Sequence, residues 1–497
     1  MKSRIALLLV VHTFAICMVS TEAVADEDLF ESVRHDPLLL RRFLEQMPKG
    51  GDLHQHLSGT VYGETYIRLG AAKKGLCIDT AALAYENCEK GSKTQVPAAK
   101  ALTDTGLYRD ILDSMSMRQF RAIGESGHDH FFATFGKFSA VSRNHVPEML
   151  ADVVSRFARE NVDYVESLFG QDLGAARDLG KTLKPGQSFE AMRDTLLKRG
   201  VADVVKKSRA TIDTAEAGLR KALKCDTSDV QPGCESTIRY LFETHRAFPR
   251  EQLFAELLVG FELATVDSRV VGLNVVQPED WYASMAGFEE LMQMFAYLRP
   301  LYPNVRVSAH AGELAPGLVP PEGLRTHIRD SVMIAKAERI GHGVDIAREE
   351  DALALLRHMS ERGVAVEVCL TSNDVILGVT GRDHPLNLYL RSGVPVVLAT
   401  DDAGVSRGDM TTEWQRAVEE HGVTYEDLKW IARNSIEYSF LEGASLWADR
   451  NYEDYAEPCE EDERSDECRT FLAANAKARV QMRLEQRLLD FERGDLR

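Results

Sequence analysis

Eight short runs rich in β-branched and apolar residues, each ending in polar or glycine-rich positions, limit the architectures open to this chain. They are Gly51 to Leu57, Val162 to Phe169, Thr237 to Thr244, Val270 to Val276, Val305 to His310, Arg339 to Gly343, Val364 to Thr371 and Pro395 to Thr400. From Val270 onward they recur roughly every 30 residues with helix-like stretches between them, the rhythm of βα units. Eight such units predict an α/β fold, a (β/α)8 TIM barrel. Insertions are expected after the first two strands, at about residues 71–125 and 171–236, the second mostly helical over Phe189 to Lys207 and Ala210 to Leu223. The barrel is expected over 26–446. Residues 447–497 then form an extension: an acidic segment followed by an Arg- and Leu-rich helix from Thr470 to Arg493.

Residues 1–25 read as a secretory signal, with Lys2 and Arg4 ahead of an apolar run from Ile5 to Val19 and a small-x-small pattern at Ala23-Val24-Ala25. That run is too short for the roughly 20 residues a membrane span needs, so no membrane association is expected once the signal is removed. Export agrees with the cysteines. Cys77/Cys88, Cys225/Cys234 and Cys459/Cys468 form close couples around short polar loops, which in an exported chain predicts three local disulfides. Cys369, inside an apolar run, is expected to be a buried free thiol. A periplasmic or a fully secreted protein fits equally.

The charge balance narrows the partners. Lys and Arg total 59 against 77 Asp and Glu, a net of -18, which argues against a surface built to hold nucleic acid or anionic lipid. The C-terminal helix has two readings, a homodimer contact or a helix packed on the barrel.

Barrel enzymes carry their chemistry at the C-terminal ends of the strands, and four motifs fall there. In Asp52-Leu53-His54-Gln55-His56, strand alternation turns both imidazoles to one side, where they can face one metal ion. In His310-Ala311-Gly312-Glu313, the histidine offers a third nitrogen and the glutamate a proton-transfer group. Glycines flank His342 in Arg339-Ile340-Gly341-His342-Gly343, and an apolar strand ends in Asp401-Asp402. Three histidines and one aspartate leave a divalent metal an open position for water, which implies hydrolysis. No inward lysine stands on the strands between Val162 and Val276 to bridge a second ion, so one metal per chain is expected.

In this order, and with Met47-Pro48-Lys49 ahead of the first strand, the motifs resemble those of the adenosine deaminase family, from about Met47 to Leu441. The signal and long insertions are similar to its secreted branch. The resemblance implies that His54, His56, His310 and Asp401 bind zinc, that Glu313 protonates purine N1, and that His342 and Asp402 position the attacking hydroxide. The implied reaction converts adenosine or a related 6-aminopurine nucleoside to the 6-oxo purine and ammonia.

Two departures bear on the substrate. Family members acting on free nucleosides usually follow His-x-His-Leu with Asp-Gly, where this chain has Ser58-Gly59. A glycine that meets the purine is replaced by the stretch Gln277-Pro278-Glu279, so Ser58, Gln277 and Glu279 are the substrate-binding candidates. His128 and His130 with Phe131, Phe132 and Phe135 read either as a substrate lid or as an amphipathic core helix with exposed histidines, and Trp281 either as a pocket wall or as packing. Two rival functions stay open: the same fold and metal acting on adenine, AMP or a non-purine amide, and a catalytically inactive nucleoside-binding protein.

Overall fold

The computed structural model describes residues 21–494. The apolar run Ile5 to Val19 lies outside the described residues, and the Ala23–Ala25 pattern falls within the helix Thr21–Val33. Among the described residues no helix is long and apolar enough to cross a membrane.

The eight expected strands form one sheet. β1 (Gly50–His56) is followed by β5 (Val162–Leu168), β6 (Thr237–His245), β7 (Val270–Val276), β8 (Arg306–Ala311), β9 (Arg339–His342), β10 (Ala365–Val368) and β11 (Val396–Leu398), neighbours in space in that order. The pairs are parallel throughout. Backbone hydrogen bonds from His56 N to Asp401 O (3.1 Å) and from Asp401 N to His54 O (2.9 Å) draw the last strand to the first. Asp52 fastens the same seam, accepting from the Thr400 hydroxyl at 2.7 Å and from the His54 backbone N–H at 3.0 Å. The result is a TIM barrel.

The first insertion adds an element whose strands are too short to show periodicity in the sequence. β2 (Leu76–Asp79) pairs antiparallel with β3 (Ala84–Asn87) and β4 (Gln95–Pro97), and the Cys77–Cys88 disulfide pins this small sheet. The helices Gly127–Ser142 and Val146–Arg159 then lead into β5. After β5 the helices Phe189–Arg199 and Val201–Ala222 meet at Gly200, whose φ of 135° breaks the helix earlier than the sequence pattern suggested. Cys225–Cys234 closes the loop that follows.

The C-terminal extension is stapled by Cys459–Cys468 and ends in two helices rather than one, Asp466–Ala474 and Ala476–Glu492, separated at Asn475. Val480, Leu484, Leu488 and Phe491 of the last helix are buried in the main core, and Arg433 binds Glu485 at 2.8 Å. Each such side chain contributes about 1.5–3 kcal/mol by burial, so the helix's apolar face is used within the chain.

Candidate metal centre and active site

β1 delivers His54 and His56 to the mouth of the barrel, β8 delivers His310, and Asp401 follows β11. His310 Nε2 lies 3.1 Å from His54 Nε2 and 3.2 Å from His56 Nε2. Asp401 Oδ1 lies 3.6 Å from His54 Nε2 and 3.3 Å from His56 Nε2.

The opposite ring nitrogens explain why those atoms face one another. His54 Nδ1 donates to Glu367 (2.6 Å), His56 Nδ1 to Glu243 (3.1 Å) and His310 Nδ1 to the Asn274 carbonyl (2.7 Å). With the proton on Nδ1, each Nε2 presents a lone pair, and three lone pairs and a carboxylate converge on one point. Without a cation these atoms repel. Four ligands at about 2.0–2.1 Å around a tetrahedral ion would stand about 3.3 Å apart, so the observed spacing fits a divalent transition metal. Ser372 holds the second Asp401 oxygen at 2.6 Å.

Burial of these supports is stabilised by charge. Arg339 bridges Glu367 and Glu166 at 2.5 Å each, all three fully buried. Burial alone would raise Glu367, but Arg339 and the His54 hydrogen bond outweigh it and hold the carboxyl down to about 2. It therefore stays an acceptor for His54.

His342 also comes within 4.8 Å of the cluster, grouped with His54, His310 and Asp401. A hydrogen-bond chain gives it another part. The Leu386 backbone N–H donates to His384 Nδ1 (3.1 Å), so His384 Nε2 donates to the Asn373 carbonyl (3.1 Å). Asn373 then donates to His342 Nδ1 (3.0 Å), which leaves the His342 proton on Nε2. That nitrogen is buried and unpartnered among the described residues, as is Asp402 Oδ1. One imidazole N–H and one carboxyl oxygen thus face the space beside the His–Asp cluster. Burial pushes His342 down to about 3, so it remains a neutral donor. Burial, then the carboxylates of Asp401 and Glu279, push Glu313 well above the usual carboxyl range.

These groups open onto a cavity of about 300 Å³. Phe131, Phe132 and Phe135 of the helix Gly127–Ser142 form one wall with Trp281. Ser58, Glu243, His245 and Gln277 supply polar lining, and no lysine or arginine lines it among the described residues.

An adenosine deaminase family model matches residues 114–446. The match begins after β1, so His54 and His56 join the set through the structure. An adenosine deaminase from Clostridium perfringens is 36% identical over 390 residues, covering 78% of this chain and 93% of that one. The chain belongs to the adenosine deaminase family. An adenine deaminase from Ralstonia nicotianae is 35% identical over 414 residues, 83% of this chain and 95% of its own. An N6-mAMP deaminase from Arabidopsis shares the fold at a TM-score of 0.53 and 18% identity, covering 90% of this chain and 99% of that one. This member of the family is thus a metal-dependent deaminase, a hydrolase of C–N bonds.

The deaminase brings its sequence-nominated residues together with one exception. Ser58 and Gln277 line the cavity, whereas both Glu279 oxygens are turned away to clamp the turn before Glu313, accepting from Gly312 N (3.1 Å) and Glu313 N (2.9 Å). The same carboxylate meets His327 at 2.5 Å. Glu243, Asn274, Glu367 and Asn373 were missed. Asn274 and Glu367 are lone polar residues inside apolar strands, and a buried polar side chain there must have a partner, whereas Glu243 stands beside Thr244 and His245 at the polar end of its strand.

Both readings of the phenylalanine helix hold at once, except that its histidines are not exposed: Asp280 holds His128 at 2.9 Å and Glu125 holds His130. Phe131 and Phe138 are buried in the core, and Phe131, Phe132 and Phe135 also close the mouth. Trp281 lines the cavity while remaining 44% exposed.

The glycines around the site are there for room. An ideal Cβ on Gly59 would stand 1.5 Å from Asp402 Oδ1, and one on Gly341 would stand 2.6 Å from His54 Cε1. Three non-glycine residues at strand ends, Gln277 (φ 84°), His342 (φ 67°) and Asp401 (φ 54°), occupy the left-handed region. Strain of this kind concentrates where geometry is fixed for function.

Proposed function

We propose that this chain is an exported, zinc-dependent aminohydrolase that converts adenosine or a related 6-aminopurine nucleoside to the 6-oxo purine and ammonia. The observation that carries the reading is the aromatic-walled cavity, lined by no lysine or arginine among the described residues, that opens onto the His–Asp cluster beside Glu313. Zinc held by His54, His56, His310 and Asp401 would supply a water acidic enough to serve as nucleophile near neutral pH.

The chain's own groups do the rest. The aromatic wall takes the purine ring by stacking. Glu313, protonated by its surroundings, gives its proton to N1, so that C6 can accept the electron pair of the attacking oxygen. His342 Nε2–H donates to that oxygen and the unpartnered Asp402 oxygen accepts from it. The proton of the attacking oxygen then passes through Asp402 to the amino nitrogen, the C6–N bond breaks and ammonia leaves, while the proton from Glu313 stays on N1 of the 6-oxo purine and the water's other proton restores Glu313.

A nucleoside is favoured over a nucleotide because a phosphate would enter a cavity with no cation to meet it. Glu243 keeps a second lone pair on each oxygen and lines the cavity with Ser58, a pair suited to ribose hydroxyls. The three disulfides support export to the periplasm or beyond. The long insertions support a place in the secreted branch.

Ammonia release from adenosine, deoxyadenosine, adenine and AMP, measured in parallel on purified mature protein, tests this reading. Turnover of a nucleoside with AMP and adenine at least about tenfold slower in kcat/KM is expected. Preference for AMP or adenine, or no release from any of the four, would overturn it.

A further inference from the structure

A second cavity, of about 690 Å³, lies at the opposite end of the barrel. Arg306, Glu338 and Val364, at or just before the starts of β8, β9 and β10, form its floor, and Arg450 and Lys477 of the C-terminal extension reach into it. Six cations line it, Arg299, Arg306, Lys336, Arg362, Arg450 and Lys477, against two carboxylates, Glu338 and Glu437. A local excess of four positive charges in a chain whose net charge is -18 needs an explanation.

The carboxylates do not neutralise it. Glu338 is taken by Arg299 (2.7 Å) and the Val307 backbone (2.8 Å), and Glu437 by Ser445 (2.7 Å) and Gln481 (2.8 Å). Lys477, buried, is met by two backbone carbonyls, of Glu437 (2.7 Å) and Ser439 (3.0 Å). Arg306, Lys336, Arg362 and Arg450 have no carboxylate within 4.0 Å among the described residues. Elsewhere the chain surrounds its arginines with acids, as at Arg269, which binds Asp213, Asp267 and Glu216.

The free guanidiniums are also held in place. Arg306 lies over Phe440 (5.7 Å) and Arg450 over Tyr438 (6.0 Å), and an ideal Cβ on Gly363 would stand 2.5 Å from Arg450 Nη2. Positioned, unpaired guanidiniums on a concave wall match the forked geometry that binds phosphate oxygens. The cavity, about 690 Å³ against about 300 Å³ at the catalytic end, has room for more than a single phosphate.

We propose that the C-terminal extension and the N-terminal end of the barrel together form a binding site for a small compound carrying two or more linked phosphates. The site is separate from the metal centre and does not depend on the substrate assigned above.

Isothermal titration of the full-length, metal-loaded protein at low salt with pyrophosphate, ATP and orthophosphate tests it. Pyrophosphate or ATP is expected to bind at one site per chain at least about tenfold more tightly than orthophosphate, and more weakly as salt is added. ATP stronger than pyrophosphate would identify a nucleotide as the occupant; equal binding would identify the inorganic chain. The double variant Arg306→Glu, Arg450→Glu, and independently Lys336→Glu, Arg362→Glu, should each lose about tenfold or more in affinity while deamination is unchanged. Absence of binding at millimolar pyrophosphate and ATP overturns the proposal. So does heat that persists in both variants, since it would arise at the metal centre.

Discussion

Glu313 and His310 sit three residues apart, His310 in β8 and Glu313 on the turn that follows it, yet differ in what they hold. His310 turns its Nε2 lone pair to the His–Asp cluster, while Glu313 stands in the cavity with its carboxyl raised by burial and nearby carboxylates. Glu313→Gln should therefore keep metal content and lower kcat by about 10²–10⁴, the usual worth of a general acid. His310→Ala should lose metal and activity together. Because Glu313 acts while protonated, kcat/KM should fall on the alkaline side as pH passes its raised value, and this limb should vanish in Glu313→Gln. A Gln variant with wild-type kcat would remove Glu313 from the reaction. Gly59 gives a second test at this scale. A methyl there would strike Asp402, so Gly59→Ala should cost about 10²-fold or more in kcat with metal retained. Metal analysis and steady-state rates on one preparation check both halves.

At the scale of elements, strands expose more of the site than helices do. His54 and His56 were nominated by their two-residue spacing on a strand, His310 and Asp401 because each ends an apolar run, and barrel strands end at the chemistry. Glu367 lies in plain view between Val366 and Val368, but its partner His54 is 313 residues away, and nothing local names it. Glu279 was misleading for a related reason. It follows a barrel strand, as a substrate contact would, yet the turn carrying Glu313 takes both of its oxygens. The small sheet of the first insertion has strands of three and four residues, too short for alternation to register. The helix Leu370–Leu377 shows what helices contribute: Ser372 steadies Asp401, and Asn373 fixes the tautomer of His342. Asn373→Leu should free that tautomer and lower kcat about 10–100-fold with KM and metal content little changed. Nitrogen NMR shifts of His342 should show the proton shared between both ring nitrogens. An unchanged tautomer in the variant would contradict the relay through His384.

The whole molecule assigns its parts to the two ends of one barrel. The helix Gly127–Ser142, which follows the first insertion, covers the mouth with its phenylalanines, and the extension packs on the outside and reaches the opposite end. In the reading proposed above, all of this chemistry hangs on one ion that ligands from three places in the chain would hold, which the ring-nitrogen tautomers and spacings support. The most direct measurement is a refilling titration: strip the protein with a chelator, add zinc in steps, and record bound metal and ammonia release from adenosine on the same samples. Activity should be absent at zero metal and rise in proportion to bound zinc until one ion per chain is reached. Full turnover by stripped protein, or activity that appears only beyond one ion per chain, would contradict a single metal centre built from His54, His56, His310 and Asp401.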